Sequence, residues 1–492
     1  MRKALLGSIA AVTAGAGFAA GQAPRMQPPA PVSIAPSVSG LMPAGGMDDM
    51  QGGPGLGGPG GMDPSMGMMP SIGYQGGPGS APMGAGGPPI GPGGQPMGMG
   101  MDPMGGGYGP PPGGEYGAPS GGNVANRFWF NAAYTLFFTQ PLRGAPFLTT
   151  SAPADGGLIG NPTTSVLHST TDVGYGLISG FHFDGGLFRD ADRRFGIELG
   201  GFMSGRKDNT YEIGSDATGQ PLIARPFIDA GTGASGALFV AFPTFASGNV
   251  RVYTDTLAFG AELNTVVNWY RSCPTDGCLW NINGILGFRY FQLEENLNIN
   301  QSSIILPGNS APFGGATFNG PVTIGVSDSY YTSNRFYGGQ FGFNAEMKYC
   351  HAFLNVAGKV AIGDVHQRVA IDGSSTLQDP TRTTNAVVRG GLYANASNIG
   401  VYTNDEFAVM PEGSVALGYN WCSWLTTSIG YNYLYINKVV RPGDQYTTVV
   451  NASQVPTSPS FGFGGTAPVP NPAGTQSGVW IQGVTFGLNA RY

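Results

Sequence analysis

Seven charged residues, Glu198, Glu262, Arg289, Glu346, Lys348, Lys359 and Glu412, fall in the middle of segments that otherwise alternate apolar with small or polar side chains. Each lies opposite the apolar row of its own segment, so in a strand all seven turn away from the greasy face. Two kinds of chemistry suit charges placed like this. One is a salt-bridge ladder that fills the interior of a narrow barrel, and the other is an ion-selective constriction in a wider one. The four His offer proton transfer, with His168 close to Ser169 and Asp172, and His366 close to Asp364. No G-x-S-x-G, H-E-x-x-H or G-x-x-x-x-G-K-[ST] pattern accompanies them, so no catalytic residue is assigned and the chain is read as no enzyme. The four Cys lack C-x-x-C spacing and a neighbouring Cys/His cluster, which argues against a metal centre; no metal or other cofactor is expected. An even number of Cys in an exported chain favours disulfides instead, Cys273 with Cys278 across a turn and Cys350 with Cys422 across adjacent strand ends.

The elements that must position these groups are strands. At the C-terminus Val484, Phe486, Leu488, Ala490 and Tyr492 alternate with Thr485, Gly487, Asn489 and Arg491. A run of about ten such residues ending on an aromatic suits a tilted membrane-crossing strand, and the apolar row doubles as a C-terminal assembly signal for the barrel-assembly machinery. Comparable segments cover roughly 127–139, 172–183, 194–204, 249–272, 279–297, 330–349, 351–372, 405–421, 424–438 and 478–492. Connections alternate between short, near 184–193, 273–278, 350 and 422, and long. Ten strands with short turns at one end and long loops at the other form an all-β, antiparallel, up-and-down transmembrane barrel with both ends on the periplasmic side. The loop 205–248 has room for two more strands, for instance around Ala237 to Phe245, which leaves twelve as the alternative. Trp269, Trp280, Trp421 and Trp424 near the short turns, and Tyr330, Tyr331 and Tyr435 near the long loops, fit two interfacial girdles.

If Cys273 faces Cys278, the hairpin between them sets Leu263 opposite Phe288, Ala261 opposite Tyr290 and Trp269 opposite Ile282 on the apolar face. The polar face then pairs Asn268 with Asn283 and Glu262 with Arg289. A slip of one residue would spoil both faces at once.

Upstream of Arg127 the chain changes character. Residues 1–23 have a basic start and a short apolar run rich in Ala and Gly, the pattern of a secretory signal peptide. Residues 24–125 are a low-complexity mixture of Gly, Pro, Met and Gln with nothing to bury, read as a disordered periplasmic tether that reaches towards the cell wall. Residues 126–492 are the barrel. A net charge of −6 and the lack of a basic stripe exclude nucleic acid as a partner.

The phrases Gly287 to Tyr290, Leu293 to Glu295, Asn334 to Gln340, Val440 to Gln445, and Trp480 with Gln482-Gly483 resemble a family of outer-membrane β-barrel porins known mainly from planctomycete-type bacteria. Pro146 to Ser151, Ala224 to Pro226 and Met410 to Glu412 fit as well. The resemblance runs from about Arg127 to Tyr492 and implies an exported barrel in the outer-membrane lipid, with no catalytic residues to carry over. The expected function is a porin or passive channel for small solutes. The alternative is a structural or adhesive protein with a plugged barrel that displays extracellular loops.

Overall fold

The computed structural model describes residues 128–490 apart from 191, 273–277, 382–383, 423–424, 464–468 and 472–473. The expected signal peptide, the tether, Cys273, Trp424, Arg491 and Tyr492 lie outside the described residues. Ten antiparallel strands form a closed ring: β1 (Phe128–Thr139), β2 (Ile178–Phe188), β3 (Phe195–Ser204), β4 (Ala246–Arg271), β5 (Cys278–Ile305), β6 (Val322–Tyr349), β7 (Ala352–Asp379), β8 (Gly400–Asn420), β9 (Leu425–Val439) and β10 (Ser477–Ala490). Each pairs with its neighbours in sequence, and β10 closes on β1 with Leu136 opposite Val484 and Tyr134 opposite Phe486. Ring closure leaves no unpaired sheet edge in the lipid.

The outward face carries an apolar belt. On β5 it runs Trp280, Ile282, Leu286, Phe288, Tyr290, about 25 Å of height for a strand tilted near 45°. Above Tyr290 the same face turns polar through Gln292, Glu294, Asn296 and Asn298. The expected ends of the middle strands were therefore too early. Strands β5 and β6 continue to Ile305 and start at Val322, and β7 continues to Asp379. Beyond the membrane both outer neighbours of a strand residue are wet, so alternation survives only in the inward row Leu293, Leu297, Ile299, Ile305.

The twelve-stranded alternative is corrected to ten. The loop after β3 does contain strands, yet none enters the ring: Lys207–Gly214 pairs with the upper part of β4, while Ile223–Asp229 and Ser235–Ala241 join a separate sheet. That second sheet gathers three loops. It is completed by Pro146–Thr150, Ser165–Ser169 and Val449–Val450 and makes a dome over the long-loop end.

The β4–β5 register holds where it was expected to, with Leu263 opposite Phe288, Ala261 opposite Tyr290, Glu262 opposite Arg289 and Asn268 opposite Asn283. It fails at the tip. A bulge at Trp269 sets Ile282 opposite Tyr270. Cys278, Cys350 and Cys422 are free thiols. Ala352 faces Tyr419, which sets Cys350 level with Trp421 and leaves Cys422 one residue beyond, so the expected bridge between them is not formed either. The outer girdle needs a similar correction, because Tyr330 is fully buried beneath the dome.

Small residues on the inward face make room for large ones. A Cβ on Gly260 would lie 2.5 Å from the Phe202 ring, and one on Gly338 2.5 Å from the Phe336 ring. Gly260→Val is therefore expected to cost about 1–3 kcal/mol through overpacking. The check is heat-modifiable gel mobility, in which the folded band of the variant should unfold at lower temperature than that of the parent.

Candidate functional site

Five of the seven predicted lumenal charges meet at mid-barrel. Register brings Glu262 on β4 opposite Arg289 on β5, and Lys359 on β7 opposite Glu412 on β8. Arg289 Nη1 reaches Glu262 Oε2 at 3.2 Å and is also paired with Glu412, while Lys359 is paired with the other oxygen of Glu262. Gln340 Nε2 donates to Glu262 Oε2 at 2.9 Å, and Asn264 Nδ2 donates to Glu198 Oε1 at 3.1 Å. Such a network is strong because the low local dielectric leaves each charge dependent on its partner. Glu346 and Lys348 stand apart, nearer the short turns, and Glu346 is buried with Oε2 unpartnered.

Above this layer, towards the long loops, the lumen is dry. Each strand of the ring contributes an inward residue that is nine-tenths or more buried: Phe137, Ile178, Phe202, Ala258, Phe291, Phe336, Ala361, Met410, Leu434 and Ile481. The Phe202 ring lies 5.5 Å from Phe137 and 6.3 Å from Phe291. This layer explains why β1 has an apolar residue, Phe137, on its inner face.

Below it, towards the short turns, lies a cavity of about 410 Å³ lined by His182, Asp184, Glu198, Glu262, Lys359 and Glu412 with several Asn, Ser and Thr side chains. Asn131 Nδ2 donates to Asp184 Oδ2 at 2.9 Å. Sequence reading missed Asp184, His182 and Asn131, because β2 has the inward row His182, Asp184, Gly186 between aromatic residues and no long polar alternation.

Two further buried ion pairs tie the loops down. At the mouth Arg441 donates from Nε and Nη2 to the two oxygens of Glu295 at 2.8 and 2.6 Å, and from Nη1 to Pro141 O at 2.9 Å. Asn334 bonds both backbone groups of Val440 at 2.8 Å. In the dome Arg225 pairs with Asp328, both fully buried, and Asp328 also accepts from the backbone N–H of Tyr393 at 2.9 Å and Ala394 at 2.7 Å. Arg225 lies 4.7 Å over the Tyr393 ring. Arg225, Glu295, Asn334 and Arg441 sit inside the phrases that carried the family resemblance, so a signal for them was present; Asp328 had none.

His366 and His168 meet different surroundings. His366 Nδ1 meets Asp405 rather than Asp364, at 2.6 Å on the outer wall. His168 is buried in the dome, stacked on Tyr211 with ring centroids 4.3 Å apart, and its Nε2 has no hydrogen-bond partner. Burial lowers its pKa, against a weaker opposing pull from Asp172. Asp172 itself caps its own turn by accepting from Ser169 N at 2.7 Å.

A family model described as putative beta barrel porin-7 (BBP7) matches residues 129–492. No curated protein matches the chain. Among solved structures, the crystal structure of the outer membrane protease OmpT from Escherichia coli aligns at 8% identity with a TM-score of 0.29, covering 73% of this chain and 97% of that one. The outer-membrane expressed OmpT of Vibrio cholerae aligns at 10% identity with a TM-score of 0.09, covering 73% and 97%. At these scores neither likeness carries an argument about activity.

Arg289→Ala strands Glu412 and half of Glu262, and is expected to destabilise the barrel by about 3–5 kcal/mol. Thermal unfolding in detergent should show the loss, and Arg289→Ala with Glu412→Gln should recover part of it. For His168 the sign is fixed by burial: the folded state prefers the neutral ring, so stability is complete above the unfolded pKa of about 6.5 and falls as pH drops below it. Limited proteolysis of the dome should accelerate from pH 7.5 to pH 5, and His168→Phe should remove that acceleration.

Proposed function

The chain belongs to the putative beta barrel porin-7 family, and from that premise we propose that it is an outer-membrane barrel closed to passive diffusion, built to present its loop dome to the exterior. The dry layer supports this reading. A water-sized path would have to pass ten inward residues that together leave almost no accessible surface, and apolar constrictions exclude ions even when slightly wider than this one. The paired charges beneath it act as the structural ladder, and the dome, held by Arg225–Asp328 and Arg441–Glu295, is a folded surface instead of a set of free loops.

In this reading the short turns face the periplasm and the dome faces outward, following the usual layout of such barrels. Residues 1–23 direct export, residues 24–125 tether the barrel towards the cell wall, and the terminal row Val484, Phe486, Leu488 engages the assembly machinery. No catalytic role is assigned.

Purified protein in a planar bilayer should give no conductance steps. Replacing Phe202, Phe291 and Phe336 together by Ala removes three rings from the dry layer and should produce steps. Steps from the parent protein at ordinary voltages would sink the closed-barrel reading in favour of a passive porin.

A further inference from the structure

Two neighbours in the ring part before either of them ends. Strands β8 and β9 are paired from Asn420 opposite Thr426 up to Glu412 opposite Leu434, and among the described residues no pairing joins them above that point. Both strands run on: β8 stays on β7 as far as Gly400 opposite Ile371, and β9 stays on β10 through Ile436 opposite Val479. The cause is Pro411. Val409 N donates to Asn437 Oδ1 at 3.0 Å, so the backbone of Val409 points to β9, and Pro411, two residues away, presents the same edge with no N–H to offer. On its other edge Pro411 costs nothing, and it faces Val360 in an unbroken ladder with β7.

Side chains take the place of the backbone across this gap. Besides Asn437 on Val409, Lys438 Nζ reaches Glu406 Oε2 at 2.7 Å, and with 40% and 29% exposure of their side chains this upper bridge is open to water. The lower part of the gap lies in the belt. The outward row of β8 is apolar from Leu417 through Val415, Pro411 and Val409 to the exposed Phe407, and it turns polar only at Asp405. Lipid therefore lies against residues 407–411, where no ladder closes the wall, and neither Pro411 nor Val409 leaves a donor open to it. Behind the gap the barrel holds carbon: Ala408, Met410, Leu434 and Ile436 are all buried. The dry layer is also uneven around the ring. On β3, β5 and β6 it is made of the rings of Phe202, Phe291 and Phe336, whereas beside the gap its members are Ala361, Met410 and Leu434. Methionine is unbranched and repacks readily, so this is the softest sector of the layer.

From these observations we infer that the gap between β8 and β9 is a lateral gate, with Met410 as its inner leaf, that admits a hydrocarbon chain of an outer-leaflet lipid into the apolar layer. Both sides of the gate are apolar at this height, Val409 and Pro411 without and Met410 and Leu434 within, so a chain passes from one apolar surface to another, while an ion or a sugar would lose its water on the way. Opening needs no ladder to break. It parts two side-chain bridges, Asn437 from Val409 and Lys438 from Glu406, and swings Met410 aside. The axis of the barrel stays shut while its wall yields sideways. That the leaflet is the outer one rests on the orientation proposed above; the sideways entry does not.

The test is photo-cross-linking of the full chain, made with photo-methionine and placed in dioleoylphosphatidylcholine vesicles, with lipid adducts located by peptide mass spectrometry. Met203 is 51% exposed on the outward face and reports lipid against the outside of the wall. Met410 is buried on the inward face and should carry lipid as well. A methionine introduced by Phe291→Met, inward on a strand paired on both sides, should carry none. Pro411→Thr returns an N–H to the edge of the gap and should abolish the Met410 adduct with that of Met203 unchanged. Asn437→Ala with Lys438→Met removes both bridges and should increase it. Heat-modifiable mobility reports the fold of each variant, and should Pro411→Thr fail to fold, the bridge variant decides. Lipid on Met203 with none on Met410 in the parent protein would overturn the inference. So would an equal adduct at Phe291→Met, or a Met410 adduct that the folded variants leave unchanged. Conductance plays no part in this readout, so a barrel that conducts in the bilayer and still carries lipid on Met410 would refute the closure and keep the gate.

Discussion

A ring of ten strands leaves an axis only a few side chains wide, and every second residue of every strand must share it. Within that width the protein cannot choose freely between water, charge and carbon. It stacks them: an ionic layer around Glu262, Arg289, Lys359 and Glu412, an apolar layer from Phe137 to Ile481, and above these the buried latches of the mouth. Each layer sets the conditions for the next. The apolar layer shields the ionic layer on its dome side, and the apolar layer can pack because inward glycines such as Gly260 and Gly338 yield their volume to Phe202 and Phe336.

The outer half obeys a different solvent. Where β4 to β7 rise past the lipid belt, both faces of the wall would be wet if the loops were free. Instead the dome sheet covers the inner face and buries Leu297, Ile299 and Val326. Arg225 and Asp328 then sit in a core with no water to hydrate them, and the pair survives because Asp328 gains backbone donors from Tyr393 and Ala394 in a different loop. The pair therefore fixes the relative position of two loops more than it adds stability.

Much of this was legible in the residues. Strict alternation in β10, and the two-faced agreement of β4 with β5, required a barrel and its register, and they placed Glu262 beside Arg289. The inward placement of the seven charges was legible too, but which five of them meet at one height needed the ring to close. What stayed hidden has physical causes. The Trp269 bulge adds one residue without disturbing the apolar pattern on either side, so the expected partner of Ile282 was off by one. The upper strands lost their outward signal where lipid gave way to water. Asp184 lies in a stretch of aromatic and glycine residues that reads as greasy on both sides, and its inward placement appears only when β1 brings Asn131 opposite it.

The latch at the mouth has a consequence for how the chain reaches this state. Arg441 bonds the carbonyls of Gln140 and Pro141, some 300 positions earlier, and the carboxylate of Glu295. The dome likewise pairs Val449 with Ile228. Contacts this distant in sequence carry a large loop-closure cost before they return any energy, and they slow folding. The dome cannot be completed from the first loops alone. Its last strand and its latch arrive with residues just ahead of β10, so the cap and the ring are finished by nearly the same part of the chain. A chain interrupted before that point would hold a row of apolar loop residues with no cover, which makes the final stages of assembly the period in which this protein is most exposed to aggregation.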